Sequence, residues 1–315
     1  MKKLNESLEF FDAMLSGIMD EQEIESALLR LAQEKEDPVD VAALAKAMLK
    51  NARLIQYSGE CLDIVGSGGD NSNSFNISTA ASITCSLFVK VAKHGNRAVS
   101  SLSGAADILE ALGVKIEQTE DKIVENLNNK NFAFLFAPFW HPKLKRIMPI
   151  RKKIAKRTIF NLVGPLCNPI KPTYKMIGVF SKDYLPLYFE AIEMLDFQNV
   201  LLVSSDMDEV SLSDVTLCYQ KKGIFTKRFE FDPREFGIYA TKDKLKGFDA
   251  KTNAKILKEV FLGDHEVLSN AIAINCAFAL NLAGIEDNLK DGFLLAKESI
   301  KSKKAYEKLM ELVND

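Results

Sequence analysis

Apolar residues in the first part of the chain recur every three to four positions. Leu4, Leu8, Phe11 and Leu15 fall on one face of a helix. Asp20 with Glu23 makes a capping box for a second helix, which would bury Ile24, Leu28 and Leu31. Asp37 and Pro38 form an N-cap and first-turn pair for a third helix carrying Val41, Leu44 and Met48. Residues 1–58 therefore read as a helical domain too small to be stable alone. It should lean on another part of the chain or on a second subunit.

The texture changes at Cys61, where short apolar runs begin to alternate with glycine loops and helical patterns. CLDIV (61–65), LFVKVA (87–92), NFAFLF (131–136), YKMIGVF (174–180) and NVLLVSS (199–205) read as strands. Helices are predicted from about Ser78 or Thr79, and from about Gly104 to Gly113. After Asp208 the pattern turns to shorter β-rich pieces, TLCYQ and IFTKRFEF, and from about His265 it is helical. This alternation predicts an α/β fold over 59–315, with a mostly parallel central sheet flanked by helices on both faces. Ligands of such folds lie beyond the C-terminal ends of the strands, where both glycine loops fall. There is no internal repeat and no low-complexity segment.

Composition narrows the options. The 315 residues are 47% hydrophobic and 27% charged, with a formal net charge of -2. That balance gives no global pull toward nucleic acid or an anionic membrane, so any anion must be held by local groups. Cys61, Cys85, Cys167, Cys218 and Cys276 are scattered, with no zinc pair and no CxxC spacing. They read as reduced core thiols of a cytoplasmic protein. The opening MKKLNESLEF lacks an apolar stretch for secretion, and no apolar run approaches the roughly 18 residues of a membrane span.

Four segments could carry chemistry. The first is GSGGDNSNSFNIST, Gly66 to Thr79. Gly66, Gly68 and Gly69 allow close backbone approach, and exposed amides there suit phosphate oxygens. Ser78 and Thr79 open a helix whose N-terminus favours an anion. Asp70 makes sense if it accepts from ribose hydroxyls or holds a cation. The spacing fits neither a GxGxxG fingerprint nor a Walker motif. The second is KHGNRAVSS, Lys93 to Ser101. Lys93 offers a mobile ammonium for phosphate, and Asn96 and Ser101 offer neutral hydrogen bonds. His94 reads equally as a general base or as a packed residue shaping the loop.

The third segment, His141 to Pro169, carries eight Lys or Arg between Lys143 and Arg157. Most of these read as a solvated helix face, and one arginine turned inward would clamp a substrate carboxylate. Residues 158–169, with Asn161, Gly164, Pro165, Asn168 and Pro169, read as a loop with fixed turns and a hinge. The fourth is Asp208-Glu209, following the strand at 199–205. Adjacent carboxylates on such a loop can bind Mg²⁺ directly or through water. Phosphates, a ribose and a carboxylate make a consistent ligand set. A pyrophosphate leaving group requires Mg²⁺, and an aromatic amine nucleophile is already neutral and needs no strong base.

GSGGD with SFNIST, KHGNRAVSS with SGAADILEALG, and RTIFNLVGPLCNP together resemble the anthranilate phosphoribosyltransferases. These belong to a class with a nucleoside-phosphorylase-like fold, and the resemblance runs over nearly the whole chain. It implies transfer of the phosphoribosyl group of phosphoribosyl pyrophosphate to anthranilate, in tryptophan biosynthesis. It implies that phosphoribosyl pyrophosphate is contacted by Gly66, Gly69, Asp70, Ser74, Asn76, Ile77, Ser78 and Thr79. Lys93, His94, Gly95, Asn96, Arg97, Ala98, Val99, Ser100, Ser101 and Ala105 would complete that set. Gly66 and Asn96 would touch anthranilate and Arg151 would pair with its carboxylate; Ser78, Asp208 and Glu209 would hold two Mg²⁺ ions. No residue is expected to act as an obligate base.

The resemblance also implies a helical domain of 1–58, joined by a hinge at about 142–170 to an α/β domain of 59–315, and a homodimer through the helices. Three departures stand out. Ser67 replaces the usual threonine, Ala105 a serine, and Ser204, Ser205 and Met207 stand where the family usually carries His-Gly and a glycine. The competing enzyme reading is a pyrimidine nucleoside phosphorylase, which needs neither a carboxylate clamp nor an acidic pair. A non-catalytic nucleic-acid-binding relative is disfavoured by the net charge, and a purely structural helical dimer leaves two phosphate-type loops unexplained.

Overall fold

The computed structural model describes residues 2–314 except 35, 71, 99, 100 and 156. Three helices come first: α1 (Lys2–Ser16), α2 (Glu21–Gln33) and α3 (Pro38–Lys50). Their boundaries follow local chemistry. Asp20 accepts from the amides of Gln22 and Glu23 while the Glu23 carboxylate accepts from the Asp20 amide, which closes the expected capping box. Asp37 caps α3 through the Val39 amide, with Pro38 in the first turn.

The sheet has seven strands: β1 (Leu62–Gly66), β2 (Val91–Gly95), β3 (Phe132–Phe136), β4 (Tyr174–Gly178), β5 (Asn199–Ser204), β6 (Thr216–Lys222) and β7 (Phe225–Phe231). Their order is β3-β2-β1-β4-β5-β6-β7. The first five run parallel, and β6 and β7 add antiparallel at one edge. The fold is therefore mixed α/β with a mostly parallel sheet, as the alternating pattern predicts. One strand shifts: β2 occupies 91–95, not 87–92. Residues 87–89 instead finish the turn after α4 (Ile77–Cys85), with the Phe88 and Val89 amides both bonded to the Cys85 carbonyl. An apolar run there marks packing, while the strand proper includes the polar Lys93 and His94.

Crossover helices cover both faces. α4 and α5 (Ala105–Leu112) follow the two glycine loops; α6 (Glu120–Asn129) leads into β3, and α7 (Ala137–Trp140) follows it. α8 (Leu144–Ile154) and α9 (Phe160–Val163) precede β4, and α10 (Leu185–Glu193) joins β4 to β5. The chain ends in α11 (Ala250–Leu262), α12 (Glu266–Leu282), α13 (Leu289–Lys301) and α14 (Lys304–Val313), so the helical end starts earlier than His265. One sheet face packs on α4, α5 and α11–α14 through a large core that includes Phe134, Val203, Phe261 and Phe278. The other face, with Ile177 and Leu202, shares a second core with α1–α3, α8, α9 and α10. The first three helices thus bury their apolar stripes on a core built largely by later segments. Among the described residues no helix is long and apolar enough to cross a membrane.

Candidate active site

The C-terminal ends of β1, β2 and β5 open into one cleft of about 310 Å³, room for a ligand of ordinary small-molecule size. Its lower wall is the two glycine loops. Gly68 and Gly69 have positive φ (64° and 79°) with open space where a Cβ would stand, so the backbone turns there without a side chain. The far end of the first loop is pinned from outside. The Phe75 amide donates to the Leu245 carbonyl (2.8 Å) and the Gly247 amide to the Asn73 carbonyl (2.8 Å). Buried Asn253 on α11 donates to Asn76 Oδ1 (2.8 Å), and Asn76 donates in turn to the Ser103 carbonyl (3.0 Å), joining the first loop to the end of the second.

The acidic pair lies directly under the first loop. Asp208 Oδ2 accepts from the Gly68 amide (2.6 Å), and the Asp208 amide donates to Asp70 (3.1 Å). Glu209 accepts from the Ser78 amide (3.3 Å) at the head of α4, and its Oε2 is buried with no partner among the described residues. Two glycines make room for this: a Cβ on Gly66 would stand 2.4 Å from Asp208 Oδ2, and one on Gly178 only 1.5 Å from the Asp208 carbonyl oxygen. Burial, reinforced by the Asp70 charge, raises the Asp208 carboxyl to about 7. Burial, with Asp208 and Asp70 nearby, also pushes Glu209 well above its ordinary range. Among the described residues no three His, Cys, Asp or Glu side chains are spaced to enclose a metal. The carboxylates present instead suit an ion that takes its remaining ligands from phosphate oxygens and water, as Mg²⁺ does. The orphaned Glu209 oxygen and the raised carboxyls are what such a cation would relieve.

The second loop behaves differently from its sequence reading. Lys93 is no mobile ammonium. It is buried, donates to the Ile64 carbonyl (2.6 Å), and burial lowers its pKa to about 8 despite the attraction of Asp63, Glu209 and Asp208. His94 is buried too, and burial holds it well below its ordinary range, which keeps the ring neutral. Its ring lies edge-on to His141 at 5.3 Å, and its Nε2 finds no hydrogen-bond partner among the described residues. Of its two readings, the packed residue that shapes the loop is the one this environment supports. Arg97 turns outward to Glu110 and Asp107, while Asp107 accepts from the amides of Ala98 (2.8 Å) and Gly104 (2.9 Å). Its guanidinium therefore braces the loop.

The upper wall comes from α3, α8 and α9. Met48, Leu144, Met148 and Phe160 give it an apolar surface, and Arg151 a charge. The basic run divides as charge pairing dictates. Lys153 pairs with Glu25 (2.6 Å) and Arg157 with Glu36 (3.4 Å), the Arg157 guanidinium stacking 3.7 Å over the Phe180 ring. Arg151, half-buried in the last turn of α8, faces the cleft with one neutral bond to Asn161 Oδ1 (3.1 Å) and no carboxylate partner among the described residues.

The cleft thus gathers Gly66, Gly69, Asp70, Ser74, Asn76, Ser78, Thr79, Lys93 to Ala98, Ser101, Ala105, Arg151, Asp208 and Glu209. Ile77 is the exception: its side chain is fully buried in the core behind the loop, so it lines no part of the cleft. Val99 and Ser100 lie outside the described residues. Sequence reading missed Asn253, His141 and the apolar residues of the upper wall. His141 heads the basic segment, but nothing local marks its ring as turned to the cleft.

Residues 58–306 match the family described as "Glycosyl transferase family, a/b domain". The anthranilate phosphoribosyltransferase of Caldicellulosiruptor saccharolyticus is 37% identical over 304 residues, 96% of this chain and 90% of that protein. The crystal structure of the Thermus thermophilus enzyme of that name superposes with a TM-score of 0.91 at 35% identity, covering 99% of this chain and 94% of the other. The Saccharomyces cerevisiae enzyme in complex with PRPP and Mg gives 0.88 at 31% identity, covering 99% and 92%. Solved with 4-fluoroanthranilate, the same yeast enzyme gives 0.85 at 29%, covering 99% and 91%.

Proposed function

Because this chain belongs to the anthranilate phosphoribosyltransferases, within the glycosyl transferase family, we infer that it transfers the phosphoribosyl group of 5-phosphoribosyl 1-pyrophosphate to anthranilate. The anthranilate nitrogen attacks C1 of the ribose, the bond from C1 to the pyrophosphate oxygen breaks, and the amine loses a proton to solvent. The products are N-(5-phosphoribosyl)anthranilate and pyrophosphate, a step of tryptophan biosynthesis. The observation that carries this reading is Arg151, a cation with no carboxylate partner among the described residues, in one cleft with two glycine loops and a buried acidic cluster.

The residues divide the work. Amides of the first loop and the head of α4 would take phosphate oxygens, since unpaired N–H groups at a helix start favour an anion. Asp70 is placed to accept from ribose hydroxyls. Ser78, Asp208 and Glu209 would hold Mg²⁺, as the PRPP and Mg in the yeast complex support; two ions are expected. When bound, Mg²⁺ neutralises the charge that grows on the departing pyrophosphate. Lys93 Nζ fixes the Ile64 carbonyl just under the first loop and so sets the floor on which the donor rests. Arg151 orients anthranilate through its carboxylate, with Gly66 and Asn96 near the amine. Burial makes His94 a weak base, and an aromatic amine needs no proton removed before attack.

Two structural proposals accompany this. Residues 1–58, joined by a hinge at about 142–170 to 59–315, would form a helical domain, supported by the core that α1–α3 share with α8 and α9. The protein would be a homodimer through those helices, since half-buried Leu4, Leu8 and Phe10 and exposed Ile18 leave apolar surface for a partner. Buried free thiols suit a cytoplasmic setting. The test is loss of anthranilate fluorescence on mixing with phosphoribosyl pyrophosphate, with and without Mg²⁺. Loss that needs both substrates and Mg²⁺ is expected; no loss in folded protein that binds phosphoribosyl pyrophosphate would show that the acceptor is wrong.

A further inference from the structure

Below the cleft lies a polar cluster that lines none of it. Asp63 on β1, its register partner Lys175 on β4, and Asn168 are all buried, at 0%, 1% and 2% exposure. Lys175 Nζ stands 3.2 Å from Asp63 Oδ2. Asn168 Nδ2 donates to the same oxygen (3.0 Å) and to the Ala92 carbonyl on β2 (2.8 Å). Asp63 Oδ1 accepts from the His94 amide (3.1 Å), and Asn168 Oδ1 from the Ile170 amide (3.2 Å). A buried ion pair of this kind is weak support for stability, because apolar residues of the same volume do as well. Its geometry is a more specific product.

We propose that Asn168, clamped by Asp63 and the Ala92 carbonyl, is a positioning residue for the acceptor half of the cleft. The proposal rests on the anthranilate reading above. Asn168 ends the segment that gives Gly164, Pro165 and Cys167 to the cleft wall. That segment also sets one of the two imidazoles: His141 Nε2 lies 2.8 Å from the Cys167 carbonyl oxygen, and the His141 ring in turn lies edge-on to His94 at 5.3 Å. One side-chain amide bonded to β1 and β2 therefore fixes how high this wall stands above the sheet. The first loop, on the donor side, is held by contacts that do not pass through Asn168, namely those from Asp208, Leu245 and Asn253. Losing the clamp should move the acceptor wall and leave the first loop in place.

The experiment is steady-state kinetics with each substrate varied in turn, on wild type, Asn168→Asp, Asn168→Ser, and the exchange variant Asp63→Asn/Asn168→Asp. Asn168→Asp sets a second carboxylate against Asp63. The expected result is an anthranilate KM raised about tenfold or more, the scale of a ~1 Å misplacement, with the phosphoribosyl pyrophosphate KM within about twofold. The exchange variant should recover part of the loss, because amide and carboxylate trade places and the hydrogen bond between positions 63 and 168 is restored. Asn168→Ser, milder for folding, should show the same split. Equal rises in both KM values, a lowered melting temperature with neither KM moved, no recovery in the exchange variant, or failure of both single variants to fold would each overturn the proposal. Wild type that leaves anthranilate unchanged would instead overturn the functional reading beneath it.

Discussion

Replacing Arg151 by alanine isolates the acceptor clamp from the rest of the cleft. In the free protein the guanidinium has little to lose. It bonds to Asn161 at 3.1 Å, touches the Met148 sulfur at 3.7 Å and lies 5.4 Å from the Phe160 ring centre. Burial lowers its pKa, yet an arginine stays charged at any working pH. A hydrogen bond to a charged group contributes about 1.5–3 kcal/mol, so a two-bond clamp in a half-solvated setting is set at about 3 kcal/mol. At about 1.4 kcal/mol per decade that is about two decades in the anthranilate KM. The assay is anthranilate fluorescence at saturating phosphoribosyl pyrophosphate, then the converse titration, where KM should hold. Arg151→Lys should fall between, since it keeps the charge but lacks the planar fork. Arg151→Met should raise the melting temperature, because it removes an uncompensated charge from a half-buried place. Equal KM changes for the two substrates, or an unmoved anthranilate KM, would refute the assignment.

Two further outcomes concern the acidic cluster. Asp208 moves from its ordinary 3.8 to about 7, so the folded protein keeps a proton that the unfolded chain releases. Stability without divalent cation should therefore be full below about pH 4, fall as pH rises to about 7 and then level off, with Glu209 acting in the same direction. Melting temperatures across that range check it: Asp208→Asn should flatten the slope, and an unaltered slope in the variant would count against the buried cluster. Gly66→Ala places a methyl 2.4 Å from Asp208 Oδ2 and must push that carboxylate off the Gly68 amide. It should cost about 1–3 kcal/mol of stability and raise the Mg²⁺ concentration for half-maximal rate; an unchanged Mg²⁺ titration would show that Asp208 is not a ligand.

Local chemistry made much of this readable. The caps at Asp20 and Asp37, the glycine turn at Gly68-Gly69 and the helix start beside Ser78 are decided by neighbouring residues, so sequence alone places them. The β2 strand slipped because its C-terminal half, Lys93 to Gly95, carries buried polar residues, and the apolar run before it is a helix end. Lys93 read as mobile because nothing in KHGN shows that its ammonium finds the Ile64 carbonyl on the neighbouring strand. Ile77 shares a motif with cleft residues, yet the helical turn carries it to the opposite side, into the core. Asp63, Lys175 and Asn253 were invisible for one reason: each is a single polar residue in an apolar context, and its partner lies far along the chain. Arg151 stood out from the seven other basic residues around it only by resemblance; the structure separates it by the absence of an acid opposite it among the described residues.

The way the second core is assembled sets a timetable for the newly made chain. Phe11, Leu28 and Leu44 are synthesised first, but their core also takes in Tyr188 and Ile192 of α10 and Leu202 of β5. At about 5–20 residues per second, the ribosome needs roughly eight to thirty seconds to go from α3 to β5. For that interval three amphipathic helices leave the exit tunnel with their apolar stripes bare. They form a ready ligand for a holdase, and they make any chain that stops before β5 prone to aggregate. The interior position of β1 adds to the delay, since its partner β4 arrives more than a hundred residues after it.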